Sequence, residues 1–301
     1  MELWIPITIA AAFLQNLRSV AQKQLKGVIG TTGATFVRFG FGMPFAFLFV
    51  AILHFGFSQR VPETNLPFHI WTVVGGLAQI AAQALLIQLF AFRNFAVGTA
   101  YSRTEPAQAA VFGLLFLGER ASVGAIIAIC ISMVGVMLIS VAHVALSARS
   151  LITSVFTRTA MLGLASGTLF GVSAVSYRAA SLALEGPGFA MQAAMTLAVT
   201  TLFQTVLMLG WMLWRTPGEI VKIGKAWKPA LFTGFVGATA SFGWFTAMTL
   251  QQAAIVKSLA QVEMLFTFAA SVFYFKEKIN RLEIAGCAMI VSGILVLLAL
   301  R

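Results

Sequence analysis

The stretch LFAFRNFAVGTAYSRTEPAQAAVFGLLFLGERASVGAIIAICISMVGVMLIS (residues 89–140) aligns without gaps on AMTLQQAAIVKSLAQVEMLFTFAASVFYFKEKINRLEIAGCAMIVSGILVLL (residues 247–298), at an offset of 158. Five positions are identical in 52 pairs, a density near chance for two apolar segments. Which positions match matters more. Glu105 falls on Glu263, Glu119 on Glu277, Gly135 on Gly293, Ala96 on Ala254 and Ile126 on Ile284. The chain has nine acidic residues, all Glu, and two pairs of them superpose along with the GER and KEK loop charges. That pattern marks an internal repeat.

The composition says what is repeated. Of 301 residues, 59% are hydrophobic and 10% charged, against about 25% charged in soluble domains. Mean hydropathy is +0.93. So few charges cannot cover a water-facing surface, which makes this an integral membrane protein. Its apolar runs are continuous, whereas barrel strands alternate over about ten residues. The net charge of +11 comes from cations scattered between apolar runs, a pattern that orients helices and gives no sign of nucleic-acid binding. Cys130 and Cys287 lie inside apolar runs without metal spacing. The N-terminus lacks a basic region ahead of its apolar stretch and reads as a retained first helix.

A spanning helix needs about 20 mostly apolar residues. Reading between polar breaks gives ten candidate spans, near 3–25, 32–55, 67–91, 95–117, 122–143, 160–183, 189–214, 229–250, 254–275 and 281–300. The expected fold class is an all-α integral membrane protein of ten transmembrane helices, built as two five-helix repeats over 1–145 and 158–301. Because five is odd, the second repeat must enter the membrane inverted. That is a transporter architecture, with the binding site near the midplane.

These features resemble the drug/metabolite transporter superfamily, and within it the ten-helix EamA type. The resemblance rests on the 5+5 plan, the Gly118-Glu119-Arg120 turn after span 4, its KEK counterpart, Gly135 and Gly293, and Arg38 in GATFVRFGFGMPFAF. It covers essentially the whole chain. It implies a cavity lined mainly by spans 1, 3, 4, 6, 8 and 9, with spans 5 and 10 peripheral. It also implies a multi-pass protein of a bacterial inner or plasma membrane with both termini cytoplasmic. The Lys/Arg count favours the opposite orientation. Loops on the terminal side carry Arg60, Arg120 and Arg301, and the other side carries eleven cations, including Lys222, Lys225, Lys228, Lys276 and Lys278.

Glu105 and Glu263 lie roughly ten residues into spans 4 and 9, about 15 Å deep. A lone carboxylate there costs about 2.5–3.5 kcal/mol on insertion scales. Each should face a cavity or a partner, as a proton carrier, a contact for a substrate ammonium group, or half of an inter-helix ion pair. Arg103 and Lys257 share those spans. Arg103 aligns with Gln261 and Lys257 with Thr99. Arg103 suits either a substrate carboxylate or phosphate, or a buried Arg–Glu pair. In span 1, Gln15, Arg18 and Gln22 share one face, which must meet water or polar groups. Gln79 and Gln83 in span 3, Tyr177 in span 6 and Trp244 in span 8 complete the candidate substrate- or proton-binding set. Each is alternatively an ordinary packing or bridging residue. Arg38, Arg178 and Lys23 are expected to snorkel to the interface. Pro106 and Pro44 should kink spans 4 and 2, with Met264 in the place equivalent to Pro106 in span 9. The glycine strips Gly163-Gly167-Gly171 and Gly234-Gly237-Gly243 permit close helix approach.

These residues suit a secondary transporter, expected to export a small polar metabolite such as an amino acid, another zwitterion or an organic anion, by alternating access. Protons are a candidate coupling ion. Efflux of cationic drugs is the alternative, weakened by Arg18, Arg103 and Lys257. An intramembrane enzyme lacks its motifs, since His54, His69 and His143 stand alone and there is no HExxH, no Asp pair and no Ser/His/Asp set. A passive channel lacks a filter sequence. No catalytic residue, metal site or cofactor is expected. The expected partners are a small-molecule substrate and the lipid bilayer, without nucleic acid, and the protein is expected to be a monomer.

Overall fold

The sequence GVIGTTG (27–33) was expected to be a loop between two helices, and the turn proves far more economical. In a computed structural model that describes residues 2–89, 100–142, 157–186, 188–273 and 280–300, α1 runs over Trp4–Gly40 with one non-helical residue, Gly30 (φ 81°, ψ 178°). That φ lies in the region open mainly to glycine. Gln22 Nε2 donates to Ala34 O at 2.7 Å. Twelve residues of straight helix would hold these about 18 Å apart, so the chain folds back at Gly30 into two helical arms.

The remaining elements are α2 (Met43–Ala51), which continues into a π-helical turn at Ile52–Gly56, α3 (Leu66–Leu89), α4 (Glu105–Leu117), α5 (Val123–Val141) and α6 (Arg158–Ala183). Then come α7 (Phe189–Arg215), α8 (Pro217–Lys225), α9 (Trp227–Leu250), α10 (Ala253–Leu259), α11 (Val262–Phe273) and α12 (Arg281–Ala299). All regular structure among the described residues is helical. Six helical stretches there are long and apolar enough to cross a membrane: 27–56, 66–86, 123–141, 158–183, 189–215 and 281–299. Span 4 is described only from Ala100 and span 9 is split. Arg93, Thr99, His143 and the KEK residues Lys276, Glu277 and Lys278 lie outside the described residues, as does the Lys23 side chain.

The chain divides into two compact units, and each draws on both repeats. The first comprises Met1–Gly76 and Ser176–Leu250, the second Leu77–Val175 and Gln251–Arg301.

In the first unit, both arms of α1 pack along α9. The glycines of α9 make this possible. A Cβ on Gly243 would stand 2.9 Å from Ala11 Cβ, and one on Gly234 would stand 2.5 Å from the Phe41 backbone. α7 is polar inward and apolar outward. Thr200, Thr201, Gln204 and Thr205 are buried, while Leu202, Val206, Leu209 and Leu213 are exposed. Water would select the reverse arrangement and lipid selects this one. Trp211 and Trp214 are exposed at its end, with Arg215 Cζ 4.2 Å from the Trp214 ring centroid, an interfacial anchor.

The segment WRTPGEIVKIGKAWKP (214–229) reads as a break but contains the short helix α8. Its Ile223 is buried with Leu25, Ile29, Val37 and Met212. Its Glu219 accepts the Gly33 N–H at 2.5 Å, capping the second arm of α1. A Cβ on Gly30 would sit 2.5 Å from that carboxylate. Arg178, expected to snorkel, has defined partners at a helix end. It donates to the carbonyls of Met248 (2.5 Å) and Thr249 (3.2 Å), closing the C-terminal end of α9.

In the second unit, α5 and α12 cross on glycine. A Cβ on Gly135 would lie 2.7 Å from Gly286 O and 3.0 Å from the Ile290 backbone N. A Cβ on Gly293 would lie 3.0 Å from both Ala128 O and Ser132 N. An offset of 158 carries Gly135 to Gly293, Ala128 to Gly286 and Ser132 to Ile290. It therefore maps one set of contacts onto the other, and the helix pair is pseudo-two-fold about its own crossing. The Gly118 turn closes α4 with φ 67° and donors from Gly118 N to Leu114 O and from Glu119 N to Gly113 O, a Schellman cap.

Candidate functional site

Both repeats interrupt the helix that carries the glutamate superposed by the internal alignment, Glu105 in one and Glu263 in the other. Span 4 leaves its helical path at Arg103–Thr104 and restarts as α4, whose first residue is Glu105. Span 9 stops after Leu259, turns through Ala260–Gln261 and restarts as α11, whose second residue is Glu263. Each carboxylate thus stands at the N-terminus of a half-helix, where the helix dipole favours negative charge.

The expectation of a kink at Pro106 within one continuous helix needs correction. Pro106 sits in the first turn of α4, where no intrahelical N–H bond is lost. The interruption lies ahead of it, and span 9 breaks in the same place with Met264 there instead. Pro44 likewise starts α2 rather than bending it.

The break in span 4 is satisfied by its own side chains. Thr104 Oγ1 donates to Tyr101 O at 2.7 Å, and Gln108 Nε2 donates to Thr104 Oγ1 at 2.6 Å. α6 gives it a smooth bed. A Cβ on Gly167 would reach Ser102 O at 2.9 Å, and one on Gly171 would stand 3.2 Å from Ala109 N and 3.5 Å from Glu105 O. The small-residue strip in span 6 therefore seats the backbone of the break.

Across the break, Lys257 Nζ of α10 lies 2.8 Å from Glu105 Oε1. The two side chains are 22% and 20% exposed, so the pair is largely buried. This is the ion pair that span 4 needs, and its cation is Lys257 rather than Arg103. Arg103 lies in the turn itself, half-buried. Gln261 is buried in the equivalent turn of span 9, and Glu263 is half-buried. Gln79 and Gln83 are half-buried on α3 of the same unit.

The other candidates belong to the first unit. Trp244 Nε1 donates to Gln15 Oε1 at 3.0 Å. Gln22 holds the α1 hairpin through Ala34. Arg18 is buried, its stem against Gly237. The Tyr177 ring stacks on Phe245 with centroids 4.4 Å apart, and its hydroxyl accepts from Gln204 Nε2 at 3.3 Å. Gln204, buried on α7, also reaches Gly76 O at 3.3 Å. A lone amide in a threonine-rich apolar run signals a polar contact inside the bundle, a cue that sequence reading passed over.

The EamA-like transporter family profile matches residues 2–141 and 157–299. No curated protein matches the chain. A solved structure titled only "Crystal structure of protein" superposes with a TM-score of 0.72 over 97% of this chain and 94% of its own, at 17% identity, which shows a shared fold. With two profile matches that leave few residues outside them, the chain belongs to the EamA-like transporter family, within the drug/metabolite transporter superfamily, as a multi-pass membrane protein.

Proposed function

We propose that the protein is a secondary transporter of a small polar metabolite, an amino acid or another zwitterion first and an organic anion second, working by alternating access between its inverted repeats. The observation that carries this reading is the Glu105–Lys257 pair at a helix break. A zwitterion can open such a pair without leaving a charge unmatched, because its ammonium takes Glu105 while its carboxylate takes Lys257. A cationic drug would satisfy Glu105 and strand Lys257, at the cost that follows from removing one partner of a withdrawn pair. Cation efflux is therefore the weaker reading. Ten spans, with the broken ones at 4 and 9, are part of the proposal. So is Glu263 as a proton acceptor that couples transport to a pH gradient.

The test is counterflow in proteoliposomes over a panel of amino acids, organic anions and lipophilic cations. Saturable, stereoselective exchange of a zwitterion is expected, lost in Glu105→Gln and in Lys257→Met. Exchange of cations that survives Lys257→Met would reverse the assignment. Uptake into inside-out vesicles would identify export. Loss of pH dependence in Glu263→Gln is expected, and if that variant keeps the wild-type pH profile the proton role is wrong.

A further inference from the structure

The end of the first unit where α1 reverses also carries its densest positive charge. Between the end of α7 and the start of α9, Arg215, Lys222, Lys225 and Lys228 fall within fourteen residues, and all four are exposed. The one acid among them, Glu219, turns inward and accepts the Gly33 N–H at 2.5 Å. Among the described residues, no carboxylate pairs with any of the four cations.

α8 has two faces. Ile223 is buried with Leu25, Ile29, Val37 and Met212, and Ile220 packs against the same cluster. At about 100° per residue, Val221, Lys222 and Lys225 fall on the other face, and all three are exposed. Aromatic rings set the depth of that face. Trp211, Trp214 and Trp227 are exposed where α7 ends and α9 begins. Arg215 Cζ lies 4.2 Å from the Trp214 centroid and 5.6 Å from the Trp211 centroid, and Lys228 Nζ lies 5.7 Å from the Trp227 centroid. Exposed tryptophans at the ends of spanning helices sit at headgroup level. α8 joins those two helix ends, which puts Lys222 and Lys225 at the level of the lipid phosphates. Four or more cations clustered on such a helix match an anionic lipid surface, and a zwitterionic surface offers them no net charge.

The inner face of α8 holds the α1 reversal. Glu219 caps the second arm at Gly33, and a Cβ on Gly30 would stand 2.5 Å from the same carboxylate. Whatever fixes the outer face of this short helix therefore also fixes the cap of the hairpin.

We propose that the outer face of α8, with Arg215 and Lys228 beside it, docks on the headgroups of anionic phospholipids, and that lipid held there braces the α1 reversal through Glu219 and Ile223. This goes beyond the transporter reading and holds for any solute carried.

The test is thermal unfolding of the purified full chain in a nonionic detergent, titrated with dioleoylphosphatidylglycerol, dioleoylphosphatidylcholine or inorganic phosphate at constant ionic strength. Amide hydrogen exchange across residues 27–36 is followed in the same samples. Phosphatidylglycerol should raise the unfolding midpoint saturably and slow that exchange, and the other two should do neither. A cation near an anionic surface contributes about fivefold in affinity. Lys222→Gln/Lys225→Gln should therefore raise the half-effective concentration of phosphatidylglycerol at least about tenfold. Lys222→Arg/Lys225→Arg, which keeps the charge, should stay near wild type, and so should Arg60→Gln in the loop after the π-helical turn. Equal stabilisation by phosphatidylcholine overturns the proposal, as does equal phosphatidylglycerol affinity in wild type and Lys222→Gln/Lys225→Gln. Equal stabilisation by inorganic phosphate would make the patch a site for free anions and overturns the lipid assignment. Unchanged exchange across 27–36 at saturating phosphatidylglycerol overturns the brace on α1.

Discussion

Within the second unit, the helices from the first repeat (α4 and α5) and those from the second (α10, α11 and α12) share some features and differ in others. Shared are the helix break, the glutamate that follows it and the reciprocal glycine crossing of α5 with α12. Pro106, the Thr104–Gln108 hydrogen bond and Arg103 belong to one side, and Lys257 to the other. What both repeats keep is architecture. What only one keeps is the charge that makes the site polar in a particular direction. A transporter built from two inverted copies needs both, since two identical halves would bind a substrate equally in either pose.

The shared features give the largest effects on stability. An added methyl at Gly135 meets Gly286 O at 2.7 Å and at Gly293 meets Ala128 O at 3.0 Å, both backbone atoms that cannot swing aside. Overpacking of this kind costs about 1–3 kcal/mol. Gly135→Ala and Gly293→Ala should each lower the unfolding midpoint in detergent by similar amounts, and Gly210→Ala, whose Cβ would meet nothing within 4 Å, should not. A large inequality between Gly135→Ala and Gly293→Ala would mean that the crossing is not the pseudo-symmetric element described here.

Next in size are the features of one side. Lys257→Met leaves Glu105 withdrawn from water without its cation. Full burial would cost about 3–5 kcal/mol, and at about one-fifth exposure a loss of about 1–2 kcal/mol is expected. Glu105→Gln/Lys257→Met should regain part of that stability and none of the transport. Equal stability of Lys257→Met and wild type would reduce the pair to a surface contact.

The repeat was legible because rare residues carried it. Glutamates are few in this chain, so two superposed pairs outweighed a background of interchangeable Leu, Val and Ala. The glycine markers Gly135 and Gly293 were legible as positions, though not as a crossing, because Gly286 aligns with Ala128 and so broke the identity pattern. The break in span 9 left no mark in sequence, since no proline or glycine stands at Ala260–Gln261 and only tertiary packing interrupts that helix. The loop at 214–229 concealed α8 because Pro217, Gly218 and Gly224 read as turn-formers, while its Glu219 cap reaches a partner 186 residues away. Contacts at that range have no local signature. For the candidate site, the residue types were readable and their pairing was not. Glu105 called for a cavity or a partner, and with Arg103 about 200° round the same helix nothing in the sequence singled out Lys257 until the fold placed α10 beside the break.

The smallest effect is the most decisive for how the break arises. If proline caused it, Pro106→Ala would let helix propagate from Ala100 through Leu117, swing Glu105 away from Lys257 and abolish exchange. If the fold imposes it, as the proline-free break in span 9 argues, Pro106→Ala should leave the break in place. Proline at the start of a helix sacrifices no hydrogen bond and restricts the unfolded chain, a contribution of about 0.4–1 kcal/mol. Pro106→Ala should therefore lower stability by less than about 1 kcal/mol and keep exchange within a few-fold of wild type. Thr104→Val, which removes the hydroxyl that donates to Tyr101 O and accepts from Gln108, should cost at least as much, because the break is held there. A larger loss in Pro106→Ala than in Thr104→Val would return the break in span 4 to its proline, and the two repeats would then have reached the same shape by different means.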